Sequence, residues 1–163
     1  MPARIDVDIV AEDARWEAHD LEDAIADAVR LGLTDRLEGA DGSTALVTIL
    51  LTDDVAQRAL NAAHRGLDKS TDVLSFPAHP GAAEMAAQVG EPLPLGDISL
   101  AYETVARDAE GEGVAFRDHV LHLVVHGALH LTGETHDAAE DAGRMEALEA
   151  DILARLGIAD PYA

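Results

Sequence analysis

The chain has 163 residues, 48% hydrophobic and 3% aromatic, which suits one domain whose core is filled by Leu, Val, Ile and Ala. It lacks cysteine, so disulfides and thiolate metal sites are excluded and a reducing compartment is expected. Its formal net charge of −21 counts against broad, sequence-independent binding of nucleic acid, which depends on Lys and Arg at the phosphates.

Residues 4–10 alternate Ile5, Val7 and Ile9 with polar side chains, the pattern of a half-buried strand. Residues 14–31 place Trp16, Leu21, Ile25, Ala28 and Val29 at helical spacing, a pattern broken by Gly32 and again by Gly39 and Gly42. Residues 44–51 are β-branched and aliphatic and read as a second strand. Thr52, Asp53 and Asp54 predict an N-cap for a helix through residue 63. A loop over 64–70, a short strand over 71–76 stopped by Pro77, and a long surface loop over 78–94 with one helical turn near 83–88 follow. Residues 97–100 read as a fourth strand, and helices are expected over 102–110, 116–131 and 138–156. The helices cluster late and strict β-α alternation fails, so the expected class is α+β, with four strands and five to six helices in one domain spanning 1–163. No stretch resembles a signal peptide and no apolar run reaches the roughly 18–20 residues of a membrane span, so the expected location is cytoplasmic.

The most informative segment is His126-Gly127-Ala128-Leu129-His130-Leu131-Thr132-Gly133-Glu134-Thr135-His136. Residues four apart on a helix share a face, so His126 and His130 can reach one ion. Gly133 can take the left-handed conformation that ends a helix, after which His136 can supply a third nitrogen. Three ligands leave a fourth position open, as in catalytic zinc sites. The spacing resembles the long zincin motif, with the histidines on a central helix. However, the position of the general-base glutamate is occupied by Gly127, which argues against an ordinary metallopeptidase. Glycine there also permits close approach by substrate or by another backbone segment.

These residues resemble the signature of the YbeY family of bacterial endoribonucleases. Three further stretches support the resemblance. They are Leu60-Asn61-Ala62-Ala63-His64-Arg65-Gly66 followed by Thr71-Asp72-Val73-Leu74-Ser75-Phe76-Pro77, then Leu95-Gly96-Asp97-Ile98-Ser99-Leu100, then Met145-Glu146-Ala147-Leu148-Glu149. The resemblance runs from about residue 46 to the C-terminus. The resemblance implies a small mixed four-stranded sheet around a central histidine-bearing helix. It implies one Zn2+ per chain on His126, His130 and His136. It implies a zinc-dependent, single-strand-specific endoribonuclease acting in 16S rRNA 3′-end maturation and ribosome quality control. Its partners would be ribosomal RNA and a ribosomal protein or ribosome-associated GTPase, with no membrane and no DNA. Where the family reads Gly-Tyr-Asp-His, this chain reads Gly133-Glu134-Thr135-His136, which changes residues that orient metal-bound histidines. Asp137 and Glu134 are the candidates to take over that role.

Arg65 follows a predicted helix in a glycine-containing loop. With the resemblance it becomes the candidate catalytic and substrate-binding residue, since a guanidinium can grip two phosphate oxygens and stabilise charge building on phosphorus. Strand alternation sets Asp72 and Leu74 on one face and Val73 and Ser75 on the other, so Ser75 is a candidate to line the cleft and bind substrate. His119 and His122 share the stripe of His126 and are expected to form a hydrogen-bonded helix face leading away from the metal. Groups that support the metal-bound histidines, or an alternate metal site, are the competing readings. His19, His64 and His79 are read as surface residues. The base is expected to be metal-activated water or a nearby carboxylate such as Glu134. Two rival functions remain: a metal-dependent amidase or peptidase, and a non-catalytic ribosome-assembly factor with a structural zinc. The stretch from Arg58 to Lys69 is the least acidic candidate surface for RNA.

Overall fold

The structure, a computed structural model, describes residues 3–37, 42–78, 92–134 and 138–163. Four strands form one mixed sheet in the order β1-β2-β4-β3. β1 (Arg4–Ala11), β2 (Thr44–Thr52) and β4 (Leu93–Ala101) run parallel, and β3 (Val73–Pro77) lies antiparallel against β4 at the edge. In β2 the alternation is clean: Ala45, Val47, Ile49 and Leu51 are buried while the residues between them are half-covered.

The described residues form five α-helices: α1 (Glu22–Thr34), α2 (Asp54–Arg65), α3 (Tyr102–Glu112), α4 (Phe116–Leu131) and α5 (Ala139–Arg155). α4 is the centre of the helical layer and touches α1, α3, α5, β3 and β4. Its Val120, Leu121, Val124, Val125, Ala128 and Leu129 have no exposed surface. At roughly 1.5–3 kcal/mol for each large aliphatic side chain, this burial fixes the helix. The histidines on its remaining stripe are thereby held on a rigid support. This is the expected α+β class, with the histidine-bearing helix at its centre.

Two features of the sheet shape the site. The pairing of β2 with β4 slips between Leu46 and Val47, leaving Leu95 as an extra residue beside Gly96. Gly96 has φ +146°, and a Cβ there would stand 2.3 Å from the Phe76 carbonyl oxygen, so no other residue fits the bulge. The second feature is Gly127. A Cβ on it would lie 3.0 Å from both Ile98 Cγ2 and Ser75 Oγ. The room created by Gly127 is thus taken by the chain's own strands, not left for substrate, and a glutamate would have no space there.

The structure differs from the expected elements at several points. The predicted helix over 14–31 is divided: a 3-10 turn spans Ala14–His19, Asp20 takes φ +50°, and α1 begins at Glu22. Trp16 leaves the helical stripe because its Nε1 donates to the Thr52 carbonyl and its ring meets Tyr102 and Phe116. α2 runs two residues further than expected, carried by the left-handed Gly66 at φ +71°, so His64 and Arg65 close a helix and do not lie in a loop. β4 starts at Leu93 and not 97, since the bulge lets the strand continue past Pro94. Asp72 precedes β3 and is not part of it. His79, the helical turn near 83–88, Gly39, Thr135, His136 and Asp137 lie outside the described residues.

Candidate metal centre and active-site cleft

His126 and His130 stand one turn apart on α4, and their Nε2 atoms are 3.0 Å from each other. The other nitrogen of each ring is directed at an acceptor. His130 Nδ1 is 2.8 Å from the main-chain carbonyl of Glu134, and His126 Nδ1 meets the Glu149 carboxylate. A ring that donates from Nδ1 carries its lone pair on Nε2. In the neutral tautomers that donate from Nδ1, both Nε2 lone pairs face one point, which suits a cation held between them. Tetrahedral ligation with Zn–N bonds of 2.0–2.1 Å sets nitrogens about 3.3 Å apart, close to the spacing seen. The carboxylate-histidine and carbonyl-histidine pairs are the orienting contacts that metal-ligating imidazoles ordinarily have. On chemistry and spacing, these residues fit a zinc ion. His136, the expected third ligand, lies outside the described residues.

Glu149 projects from α5 and is fully buried. Besides His126, it meets His122 Nε2 at 3.0 Å and accepts from the Tyr162 hydroxyl. Burial pushes its carboxyl up, but the hydrogen bonds from His122, His126 and Tyr162 outweigh this and hold it at about 2. His122 thus joins the network behind the metal face rather than leading away from it. Glu149 and Tyr162 were not found by reading the sequence for ligands. The available signal was Glu149's position on the buried stripe of Met145 and Ile152, where a carboxylate is costly unless bonded.

Glu134 is 3% exposed, and its carboxylate is taken by two arginines. Arg36 meets one oxygen, and Arg144 meets the other through Nε at 3.1 Å and Nη2 at 2.9 Å. The expectation that Glu134 serves as base is corrected accordingly. Its carboxylate anchors the turn after α4, where Gly133 has φ +94°, and its carbonyl orients His130.

Arg65, Ser75, His126 and His130 line one cleft of about 980 Å³, together with His64, Asp72 and Asp97. Arg65 is exposed at the end of α2 and makes no ion pair among the described residues. Ser75 Oγ donates to the Gly127 carbonyl at 3.3 Å, tying β3 to α4. His64 is exposed, as expected, and its ring packs 4.9 Å from that of Phe76 at the cleft wall. His19 likewise stacks on Phe116 and bonds the Tyr102 hydroxyl. In the stretch expected to be least acidic, Arg58 is neutralised by a two-bond pair with Asp68, leaving Arg65 and Lys69.

A family model described as Endoribonuclease YbeY matches residues 7–157. The chain belongs to the YbeY endoribonuclease family. YbeY relatives are similar along nearly its whole length. "Endoribonuclease YbeY" of Rhodopseudomonas palustris (strain BisB5) is 46% identical over 158 residues, covering 95% of this chain and 80% of the relative. The protein of the same name from Rhodospirillum rubrum is 46% identical over 168 residues, covering 99% and 82%. The solution structure of TM1509 from Thermotoga maritima shares the fold, with a TM-score of 0.55 and 21% identity over 92% of this chain and 91% of that one. The YbeY family is one of nuclease hydrolases, so this chain is an enzyme by descent, and the metal-capable histidine pair sits in its cleft. Among the described residues, no helix is long and apolar enough to cross a membrane.

Proposed function

We propose that residues 1–163 form one zinc-dependent, single-strand-specific endoribonuclease domain that acts in 16S rRNA 3′-end maturation and ribosome quality control. The observation that carries this reading is the facing Nε2 pair of His126 and His130, each ring fixed at Nδ1, in a cleft with an arginine that makes no ion pair among the described residues. In this reading His126, His130 and His136 hold one Zn2+. When bound, the ion supplies Lewis acidity that polarises a phosphoryl oxygen and lowers the pKa of the attacking water toward about 7. Glu149 and the Glu134 carbonyl hold the imidazoles in the ligating tautomer.

Arg65 grips the scissile phosphate with two parallel N–H donors and stabilises charge that builds on it during attack. Ser75 spends its hydroxyl proton on the Gly127 carbonyl and keeps acceptor capacity, which suits a ribose hydroxyl. Asp97 is exposed on the cleft wall without an ion pair among the described residues, which makes it a candidate to take a proton. A preference for single strands follows from charge. A duplex presents one phosphate per roughly 1.7 Å of axis, which a chain at −21 repels more strongly than a single strand. The same balance assigns the choice of site to a ribosomal protein or ribosome-associated GTPase rather than to this domain's own grip on RNA. Cytoplasmic residence belongs to this reading, supported by the absence of cysteine.

The amidase or peptidase alternative is disfavoured by the packing around Gly127, which leaves no room for the glutamate base of that chemistry. A purely structural zinc is disfavoured by the histidine pair's position in an open cleft. The test is cleavage of a single-stranded RNA and its duplex by zinc-loaded protein, alongside His126→Ala/His130→Ala. Metal-dependent cutting of the single strand alone is expected. Equal cutting by the double variant refutes the reading.

A further inference from the structure

Seven residues before His126, roughly 10 Å along α4, the helix carries a second group of ligand-bearing side chains. One ligand atom each from Asp72, Asp108 and His119 lies within 4.8 Å of the others. Asp72 comes from the segment before β3, Asp108 from α3 and His119 from α4, so three separate elements converge on one point. His119 is 5% exposed, yet its Nε2 is buried without a hydrogen-bond partner among the described residues. Its Nδ1 lies 3.6 Å from Glu112 Oε2, beyond hydrogen-bonding distance.

The surrounding charges sharpen the point. Neither Asp72 nor Asp108 has an arginine or lysine partner among the described residues. The nearby arginines are directed elsewhere, Arg107 to Thr104 and Arg117 to Asp118. Asp72 Oδ1 accepts from the Val73 amide at 2.7 Å and from Thr71, which fixes that carboxylate in place. Three donors from separate elements within 4.8 Å of one another have the spacing of ligands around a common ion. Bonds of about 2.0–2.5 Å at right angles or opposite each other produce separations of that size.

We infer that Asp72, Asp108 and His119 form a second divalent-cation site, distinct from the His126–His130 centre. One imidazole with two carboxylates suits a first-row cation of intermediate hardness such as Mn2+. The two centres are too far apart for a paired-metal displacement, which needs ions about 3.5–4 Å apart. Asp72 also lines the active-site cleft, so a cation here adds positive charge at its edge, where this acidic chain has little.

The test uses full-length His126→Ala/His130→Ala/His136→Ala, which removes the first centre, titrated with Mn2+ alone. Calorimetry should find about one equivalent bound, and pulsed electron paramagnetic resonance should detect one coordinated 14N. In that background Asp108→Asn should weaken Mn2+ binding roughly tenfold or more, because a charged ligand is lost. His119→Gln should abolish the nitrogen signal. Asp108 is half-exposed, so its variant should fold normally, and Asp108→Asn in the otherwise unaltered chain should keep its zinc at the histidine centre. Absence of Mn2+ binding in the triple variant overturns the inference. So does binding that is unchanged by Asp108→Asn, or a nitrogen signal that survives His119→Gln.

Discussion

Replacing Glu134 with glutamine separates an anchoring role from a catalytic one. The carboxylate is 3% exposed and is held by Arg36 and Arg144. Removing one partner of a fully buried ion pair costs about 3–5 kcal/mol. Here the two cations are not fully buried, with Arg36 29% and Arg144 64% exposed, and each can turn toward water when the carboxylate is neutralised. The expected loss is therefore smaller, about 1–3 kcal/mol, and is read by urea unfolding of the metal-free protein. The Glu134 carbonyl also orients His130, so loosening this turn should weaken zinc binding by up to roughly tenfold in a competition assay. At saturating zinc, the cleavage rate per bound ion should stay within roughly threefold of the unaltered protein, because the side chain is not asked to move a proton. A variant of full stability and full zinc affinity whose rate collapses would show that Glu134 is the general base, and that the ion-paired role assigned to it is wrong.

Arg65→Ala should lower RNA cleavage by roughly 10²–10³-fold, mainly in kcat, since its charge acts on the phosphate as it reacts. Because Arg65 is exposed, stability should change by less than about 0.5 kcal/mol, and zinc content should not change at all; single-turnover rates with metal analysis check both. Glu149→Gln should reduce zinc affinity by roughly 10–100-fold, measured by competition with a chelator, because His126 loses its carboxylate. The same change should flatten the acid limb of stability. The Glu149 carboxyl is held at about 2 against an ordinary 4.5, so its contribution is complete above about 4.5 and fades as pH falls toward 2. Metal-free unfolding curves across that range should be steeper for the unaltered chain than for the variant. RNA binding by metal-loaded protein should be weak and should fall only shallowly with added salt, as few cationic contacts release few counterions; tight binding with a steep salt slope contradicts this.

The elements best read from sequence are those whose burial is one-sided or complete. α4 was expected over 116–131 and forms Phe116–Leu131, since its apolar run has no competing break. The cap at Asp53 was legible because its side chain does what a cap residue does, accepting from the Ala56 amide at 2.8 Å. Trp16 misled because its spacing fits α1, while a tertiary hydrogen bond to Thr52 and ring contacts with Tyr102 and Phe116 hold it in a separate turn. The bulge at Leu95–Gly96 was hidden because its cause lies across the sheet, in the carbonyl of Phe76. In the site, the ligand spacing His126–His130 could be read directly from one helix. The groups that orient those ligands could not, since Glu149, Tyr162 and the Glu134 carbonyl reach them from other segments. The departure at Glu134 proved readable only with Arg36 and Arg144 in place, 98 and 10 residues away in the chain.

The most direct test of the central claim is diffraction at the zinc edge from crystals grown with zinc and inorganic phosphate. The account predicts one anomalous peak within about 2.0–2.1 Å of the Nε2 atoms of His126 and His130, and a phosphate bridging that ion and the Arg65 guanidinium. Zinc absent from the histidine pair, or phosphate bound there without Arg65, would contradict it.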